Sequence, residues 1–134
     1  MRRLFLVLLA STLAGAACRQ SGGTLVEIQR AKAGSLDVVL LSSQGKIAHG
    51  NDSFSIEFRA ADGALVDVGE VTAKSTMPMP GMPMFGSLDV RKSATAGRYD
   101  VDSKFDMAGT WRTTIEWQGG SGGPGSVTLS GNVQ

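Results

Sequence analysis

The feature that most constrains this chain is a series of short runs in which apolar and polar residues alternate. The clearest run spans residues 54–59, where phenylalanine and isoleucine alternate with serine, glutamate and arginine. A period of two residues is typical of a β-strand with one buried face, because successive side chains point to opposite sides. Glycine-containing turns close these runs, and no helical period lies between them. The pattern therefore predicts an all-β fold.

We expect about seven short strands. The further runs lie at 36–41, 65–76, 88–91, 98–102, 111–117 and 127–129. Residues 24–32 form either a first strand or a helical turn. Short strands separated by turns favour an antiparallel β-sandwich, and a small barrel is the alternative.

The N-terminal residues 1–17 have the order of a bacterial secretion signal. Arg2 and Arg3 supply the positive start, an apolar run follows at 4–10, and small residues close the segment at 14–17. This order is typical of a cleavable signal peptide. The apolar run is about half of the ~20 residues that a membrane-spanning helix needs. We therefore predict export to the cell envelope.

Cys18 is the only cysteine and directly follows the small residues. Residues 13–18 resemble the lipobox of bacterial lipoproteins, in which the cysteine is acylated and becomes the new N-terminus. Gly15 stands where that pattern prefers a branched apolar residue. Lipidation at Cys18 would anchor the protein at the periplasmic or extracytoplasmic membrane surface, since each buried methylene contributes about 0.8 kcal/mol. The alternative is ordinary cleavage after Ala16 or Ala17, which leaves a free thiol.

The composition of the mature chain limits its partners. Cleavage before Cys18 removes 17 of the 134 residues and leaves 117, enough for one domain with one core. Two of the 13 basic residues and none of the 12 acidic residues lie in the signal, so the mature net charge is −1. We expect no nucleic-acid partner, because such a chain lacks a basic surface. The single cysteine excludes an internal disulfide, so apolar packing must hold the core.

The most unusual stretch, residues 77–85, reads Met-Pro-Met-Pro-Gly-Met-Pro-Met-Phe. Proline has no amide hydrogen to donate to a neighbouring strand, so this stretch cannot be a central strand. We expect an extended, polyproline-like segment in a loop or at a sheet edge.

One interpretation of this stretch is a metal site, because thioether sulfur suits Cu(I). The candidate metal ligands are Met77, Met79, Met82, Met84 and His49, with Met107 as a further helper. Alternate residues of an extended strand share a side, so Met77 should converge with Met79, and Met82 with Met84. The second interpretation is packing: methionine fills gaps against aromatic rings, and the segment would close one end of the fold over Phe105 or Trp111.

Three motifs in this order resemble the motif series of YtkA-like domains. They are the methionine–proline stretch at 77–84, Gly-Arg-Tyr at 97–99, and Phe-Asp-Met-Ala-Gly-Thr-Trp at 105–111. YtkA-like domains are related to the FixH family of exported or membrane-anchored proteins. The resemblance covers roughly residues 35–118 and implies an immunoglobulin-like antiparallel β-sandwich in the bacterial envelope.

With this resemblance the chain divides into a signal peptide at 1–17, a lipid-anchor tether with a candidate first strand at 18–34, and a YtkA-like β-sandwich domain at 35–134. Gly109 fits a tight turn before Trp111, and Tyr99 should bury its ring with its hydroxyl near the edge. We interpret these motif residues as fold determinants rather than as functional groups.

Three function classes follow. The first is copper or other heavy-metal handling in the envelope, because related domains occur beside periplasmic adaptor subunits of heavy-metal efflux pumps and in proteins linked to copper delivery to oxidases. The second is a non-enzymatic interaction module whose methionine–proline edge docks an efflux- or oxidase-related envelope protein. The third, an enzyme, is disfavoured because His49 has no evident nucleophile beside it and no hydrolase, redox or nucleotide motif occurs.

Overall fold

The computed structural model describes residues 24–120 and 123–134, which form eight β-strands and no helix. The strands are β1 (Val26–Ala33), β2 (Leu36–Ser42), β3 (Gly50–Arg59), β4 (Val71–Met77), β5 (Met84–Lys92), β6 (Arg98–Phe105), β7 (Gly109–Trp117) and β8 (Gly125–Val133). Within the described ranges, therefore, no helix is long and apolar enough to span a membrane. The predictions of a signal peptide at 1–17, and of lipidation at Cys18 with its tether, fall outside the described residues.

The strands form one antiparallel sheet in the order β1-β2-β3-β6-β5-β4-β7-β8. Strand β5 joins the two halves of this sheet, since residues 84–86 pair with β4 and residues 87–92 pair with β6. The sheet curls until β1 approaches β8, where the Gln29 side-chain amide donates to the Ser130 carbonyl at 3.0 Å. No ladder joins β1 to β8, and a cavity of about 280 Å³ lies along this seam.

The all-β antiparallel prediction is confirmed, and the sheet is nearly closed and barrel-like. The immunoglobulin-like arrangement stays a prediction. Of the two alternatives for residues 24–32, the strand is the one formed, and it adds an eighth strand to the expected seven.

The expected long strand at 65–76 is wrong in its first half, because β4 begins only at Val71. Gly69 has a φ of +78°, and its amide donates to the Asp67 carboxylate at 2.8 Å. This local turn ends the extended run and lets Val68 bury its side chain in the core. A pattern of alternating valines cannot distinguish a strand from such a loop, since both place alternate residues inward.

The inward faces of the strands fill one large apolar cluster and a smaller one at one end. In the large cluster, the Phe58 ring contacts Tyr99 and Trp117 edge to face, with centroids 5.5 and 5.1 Å apart. The Tyr99 hydroxyl donates to the Gly69 carbonyl at 2.7 Å and accepts from the Val68 amide at 3.3 Å. The expectation for Tyr99, a buried ring with a satisfied hydroxyl, is confirmed.

Candidate functional site

One end of the barrel gathers most of the unusual residues of the sequence, and we call it the methionine end. The antiparallel register brings together the starts of β3, β5 and β7 and the ends of β4, β6 and β8. The loops at this end span residues 43–49, 78–83 and 106–108. Strand β1 also begins here, because Val26 pairs with Ser42 at the end of β2.

The methionine–proline stretch is a β-hairpin loop. Met77 closes β4 and Met84 opens β5, and the two residues are paired across the hairpin. All three prolines lie in the loop 78–83, where no ladder requires their missing amide hydrogens. Gly81, with a φ of +86°, makes the turn at its centre. The prediction that prolines exclude this segment from a central strand is confirmed for residues 78–83. It is wrong for Met77, Met84 and Phe85, which lie in β4 and β5 and have amide hydrogens to donate.

The four methionines divide into an inner and an outer pair. Met77 is buried in the smaller cluster with Phe105 and Trp111, and the half-buried Met84 packs against the same cluster. Met79 and Met82 lie in the loop and are 43% and 80% exposed. The expected pairs, Met77 with Met79 and Met82 with Met84, therefore do not form. The hairpin places Met77 opposite Met84 instead. The packing interpretation is confirmed for Met77.

Two glycines make room for the inner pair and its aromatic partners. A Cβ at Gly86 would lie 2.8 Å from the Phe105 ring. A Cβ at Gly109 would lie 2.7 Å from the Met77 methyl group, and Gly109 has a φ of +144°. Any larger residue would displace the side chains that close this end of the barrel.

The aromatic pair beneath the hairpin also holds the neighbouring loop. The Phe105 and Trp111 rings meet edge to face with centroids 4.9 Å apart. The Trp111 indole Nε1 donates to the Met107 carbonyl at 3.1 Å, which fixes the backbone of the loop 106–108 while the Met107 side chain stays 40% exposed. Phe105, Gly109 and Trp111 thus act as fold determinants.

His49 lies exposed at this end, directly before β3. Its backbone amide and its ring Nδ1 both approach the Gln134 carbonyl, at 2.7 and 2.9 Å. The Gln134 oxygen can only accept hydrogen bonds, so Nδ1 is the donor in this contact. A ring nitrogen held by a carbonyl in this way is the usual arrangement of a metal-binding histidine. The sequence alone gave no signal for Gln134, which is 85 positions away.

The large apolar side chains that stay exposed in the described residues all lie at this end. This apolar rim consists of Val26, Met79, Met82, Phe85 and Met107. Phe85 is 70% exposed because it follows the inward Met84 and so faces outward on β5. Sequence reasoning missed Phe85 and Val26, since neither residue type signals exposure until the register is known.

The metal-binding capacity of this end depends on sulfur. In the described part of the chain, no three His, Cys, Asp or Glu side chains are grouped to hold a metal ion. A metal at the methionine end would therefore require thioether groups, with the His49 Nε2 as a nitrogen donor. Such a donor set is soft and suits Cu(I) rather than Mg²⁺ or Ca²⁺.

An ionic network with a buried carboxylate lies elsewhere, on the outer face of β3 and β6. The buried Glu57 carboxylate contacts the Arg59 guanidinium at 2.6 Å and the Arg98 guanidinium at 3.6 Å. Both arginines cover the carboxylate from solvent. We assign this arrangement to stability, although the buried Arg98 Nε has no hydrogen-bond partner among the described residues.

A family model described as YtkA-like matches residues 30–116. The matched range contains the hairpin 77–84, the Gly-Arg-Tyr motif at 97–99 and the stretch from Phe105 to Trp111. No curated protein and no solved structure matches the chain.

Proposed function

This chain belongs to the YtkA-like family, and from that membership we propose that it is a non-catalytic, copper(I)-handling protein of the bacterial cell envelope. The copper ion is its cargo. We also infer that it is related to FixH proteins, and that the barrel-like sheet is a variant of the immunoglobulin-like sandwich. The sharing of β5 between the two halves of the sheet supports the last inference.

The observation that carries the metal proposal is the group of soft donors exposed at one end of the barrel. The side chains of Met79, Met82 and Met107 are exposed there, and so is His49. Thioether and imidazole donors favour Cu(I), and an exported protein meets copper outside the cytoplasm. We assign Met79 and Met82 as the principal ligands. Met77 and Met84 lie behind them and hold the hairpin to the core.

Titration with Cu(I) against a competing chelator tests this proposal. The chain from Cys18 onward should bind with submicromolar affinity, and the double variant Met79→Leu/Met82→Leu should lose most of that affinity because leucine has no donor atom. Met77→Leu is the matched control, since it removes a thioether of the inner pair and preserves apolar volume. Binding no tighter than about 1 μM in the wild type would refute copper handling.

We propose further that the mature protein begins at an acylated Cys18. The supporting feature is the signal-like order of residues 1–17 followed by the only cysteine. Mass spectrometry of the protein from the membrane fraction should find a lipid-modified N-terminal peptide beginning at Cys18. An unmodified thiol, or an N-terminus before Cys18, would exclude the lipoprotein form. It would leave the copper proposal unaffected.

A second candidate function is an adaptor that docks an envelope protein, such as a metal-efflux component, through the same hairpin. The exposure of Phe85, which has no role in metal binding, favours it. Binding to a purified efflux adaptor subunit separates the two functions. Docking should survive replacement of all four hairpin methionines by leucine, because leucine keeps the apolar contact, whereas copper binding should not.

A further inference from the structure

The apolar rim is concentrated at one end of the molecule. Its five side chains come from β1, from β5 and from two loops, so they are remote in sequence and are brought to the same end by the register. Met82, at 80%, and Phe85, at 70%, are the most exposed of them. A grouping of exposed apolar side chains on an otherwise polar domain marks a surface that contacts something apolar.

The chain enters the barrel at this same end. Val26 opens β1 there, and a Cβ at Gly45 in the loop 43–49 would lie 3.7 Å from its Cγ1. Val26 is eight positions after Cys18, and at ~3.5 Å per position this length of chain reaches at most about 28 Å. The strands have 7 to 10 residues and at ~3.3 Å per residue are about 23–33 Å long.

These lengths restrict how an anchored domain can lie on a membrane. For the far end of the barrel to touch the bilayer, the tether would have to run fully extended along the whole side of the domain. The methionine end reaches the same surface without requiring that length. Tether length and rim position therefore favour the same orientation.

The charges around the rim fit an anionic lipid surface. Lys46 lies in the loop 43–49, and Lys104 is the penultimate residue of β6. Arg112 on β7 lies two strands from Phe85, since both residues pair with Thr76 on β4. All three cations are exposed. The carboxylates near this end in the described residues are Asp52, Asp106 and Glu27, which follows Val26. Two of them are already engaged, since Asp52 accepts the Ala48 amide at 2.8 Å and Glu27 contacts the Arg30 guanidinium at 2.9 Å.

We propose that the apolar rim is a membrane-contact surface, which seats in the headgroup region of an anionic leaflet and fixes the barrel with its methionine end toward the lipid. The inference rests on the lipid-anchored location proposed above, and it places Met79 and Met82, the copper ligands proposed above, at the lipid surface. It gives the exposed Phe85 and Val26 a role that metal handling does not supply.

Methionine oxidation provides a direct test, because three of the five rim residues, Met79, Met82 and Met107, are methionines. All eight strands and both core clusters follow residue 24, so the chain from Cys18 keeps the whole fold. Its Cys18 thiol is coupled to a maleimide lipid in phosphatidylglycerol–phosphatidylethanolamine vesicles, and peroxymonosulfate oxidises the accessible methionines. Mass spectrometry reads each site with and without vesicles.

Seating on lipid should slow oxidation at Met79, Met82 and Met107. If coverage lowers the exposure of Met82 from 80% to the 8% of Met77, its oxidation rate falls about tenfold, since susceptibility follows accessibility. Ala94→Met is the internal control, because Ala94 is exposed in the turn between β5 and β6 at the opposite end. Its rate should not change.

The variant Met82→Glu/Phe85→Glu should restore fast oxidation at Met79 and Met107 on the vesicles, because buried carboxylates oppose seating among anionic lipids. Equal rates at Met82 with and without vesicles would overturn the proposal and leave a protein partner for the rim. Equal slowing of oxidation at Ala94→Met would also overturn it. So would protection of the rim methionines that rises with protein concentration in samples without vesicles, because contact between protein molecules would then cover the rim. The maleimide coupling replaces acylation and no copper is present, so failure here is distinct from failure of either earlier proposal.

Discussion

Methionine serves two purposes within one eight-residue segment, and the position of each side chain decides which. Met77 lies against Phe105 and Trp111, where a flexible thioether fills the space between two rigid rings. Met82, five residues on, touches water over most of its surface. The residue type alone therefore carries no functional meaning at these positions.

The two roles predict different costs for the same substitution. Met77→Ala should lower the free energy of unfolding by about 2–4 kcal/mol, because it leaves a cavity beside the aromatic pair. Met82→Ala should change it by less than about 0.5 kcal/mol, because the side chain is exposed. Urea denaturation followed by tryptophan fluorescence measures both. Equal effects would contradict the division into inner and outer pairs.

Gly86 is a second residue whose effect is steric. Gly86→Ala should destabilise the fold by about 1–3 kcal/mol, since the new methyl group would press on the Phe105 ring, which cannot bend away. Ser87→Ala, one position on and exposed, is the matched control and should be nearly neutral. Thermal unfolding of both variants gives the comparison. A neutral Gly86→Ala would show that the packing around Phe105 is looser than described.

At the scale of elements, the loop before β4 shows how a strand-like pattern becomes a turn. Asp67 accepts the Gly69 amide and lies 3.3 Å from the Tyr99 hydroxyl and 3.4 Å from the Lys92 ammonium group. The Gly69 amide, with help from Lys92, holds the pKa of the Asp67 carboxyl below its usual value. Burial raises the pKa of Tyr99, so its hydroxyl stays protonated and donates to the Gly69 carbonyl.

This loop predicts a pH dependence. Because the pKa of Asp67 is lower in the folded state, its contribution to stability is present above the unfolded-state pKa, near 3.8, and is lost as the pH falls through the folded value. The stability difference between wild type and Asp67→Asn should therefore shrink between pH 6 and pH 3, roughly the acid limb of a carboxylate titration. Urea unfolding at each pH measures it. Asp89→Asn is the control, because it removes a carboxylate that has no hydrogen bond among the described residues. A stability difference between wild type and Asp67→Asn that grows as the pH falls would contradict the lowered pKa of Asp67.

At the scale of the whole molecule, β1 nearly completes the barrel without closing it. Its ladder with β2 runs from Val26 to Ala33 with a register shift between Glu27 and Gln29, and on the other side Gln29 reaches Ser130 across the seam. The inward Ile28 and Ala31 pack against the large core cluster. Strand β1 is therefore part of the folded sheet and not only a connection to the tether.

Removal of β1 tests this conclusion. A chain beginning at residue 35 should lose cooperative unfolding or aggregate, because the β2 edge and the apolar surface beneath β1 become exposed. A chain beginning at residue 24 should unfold like the chain from Cys18. Circular dichroism during heating and size-exclusion chromatography follow both. A stable monomer from residue 35 would show that the barrel does not need its first strand.

Period-two alternation by itself determined that this chain forms β-strands, because the pleat of a strand assigns successive side chains to opposite faces. The missing amide hydrogens of the prolines likewise predicted that the proline-containing residues 78–83 lie outside any ladder. The size and polarity of Tyr99 predicted a buried ring with a hydrogen-bonded hydroxyl. These properties depend on residues close in sequence, so the sequence is sufficient to predict them.

Only the tertiary structure decided which methionines are buried and which are exposed. The pairing of Met77 with Met84, the bond from His49 to Gln134 and the grouping of Val26 with Phe85 at one end all depend on strand register. Register is set by how apolar faces from distant strands pack into one core, and no local pattern encodes it. The curl of the sheet, with β1 beside β8, was decided in the same way, because closure depends on the twist summed over all eight strands.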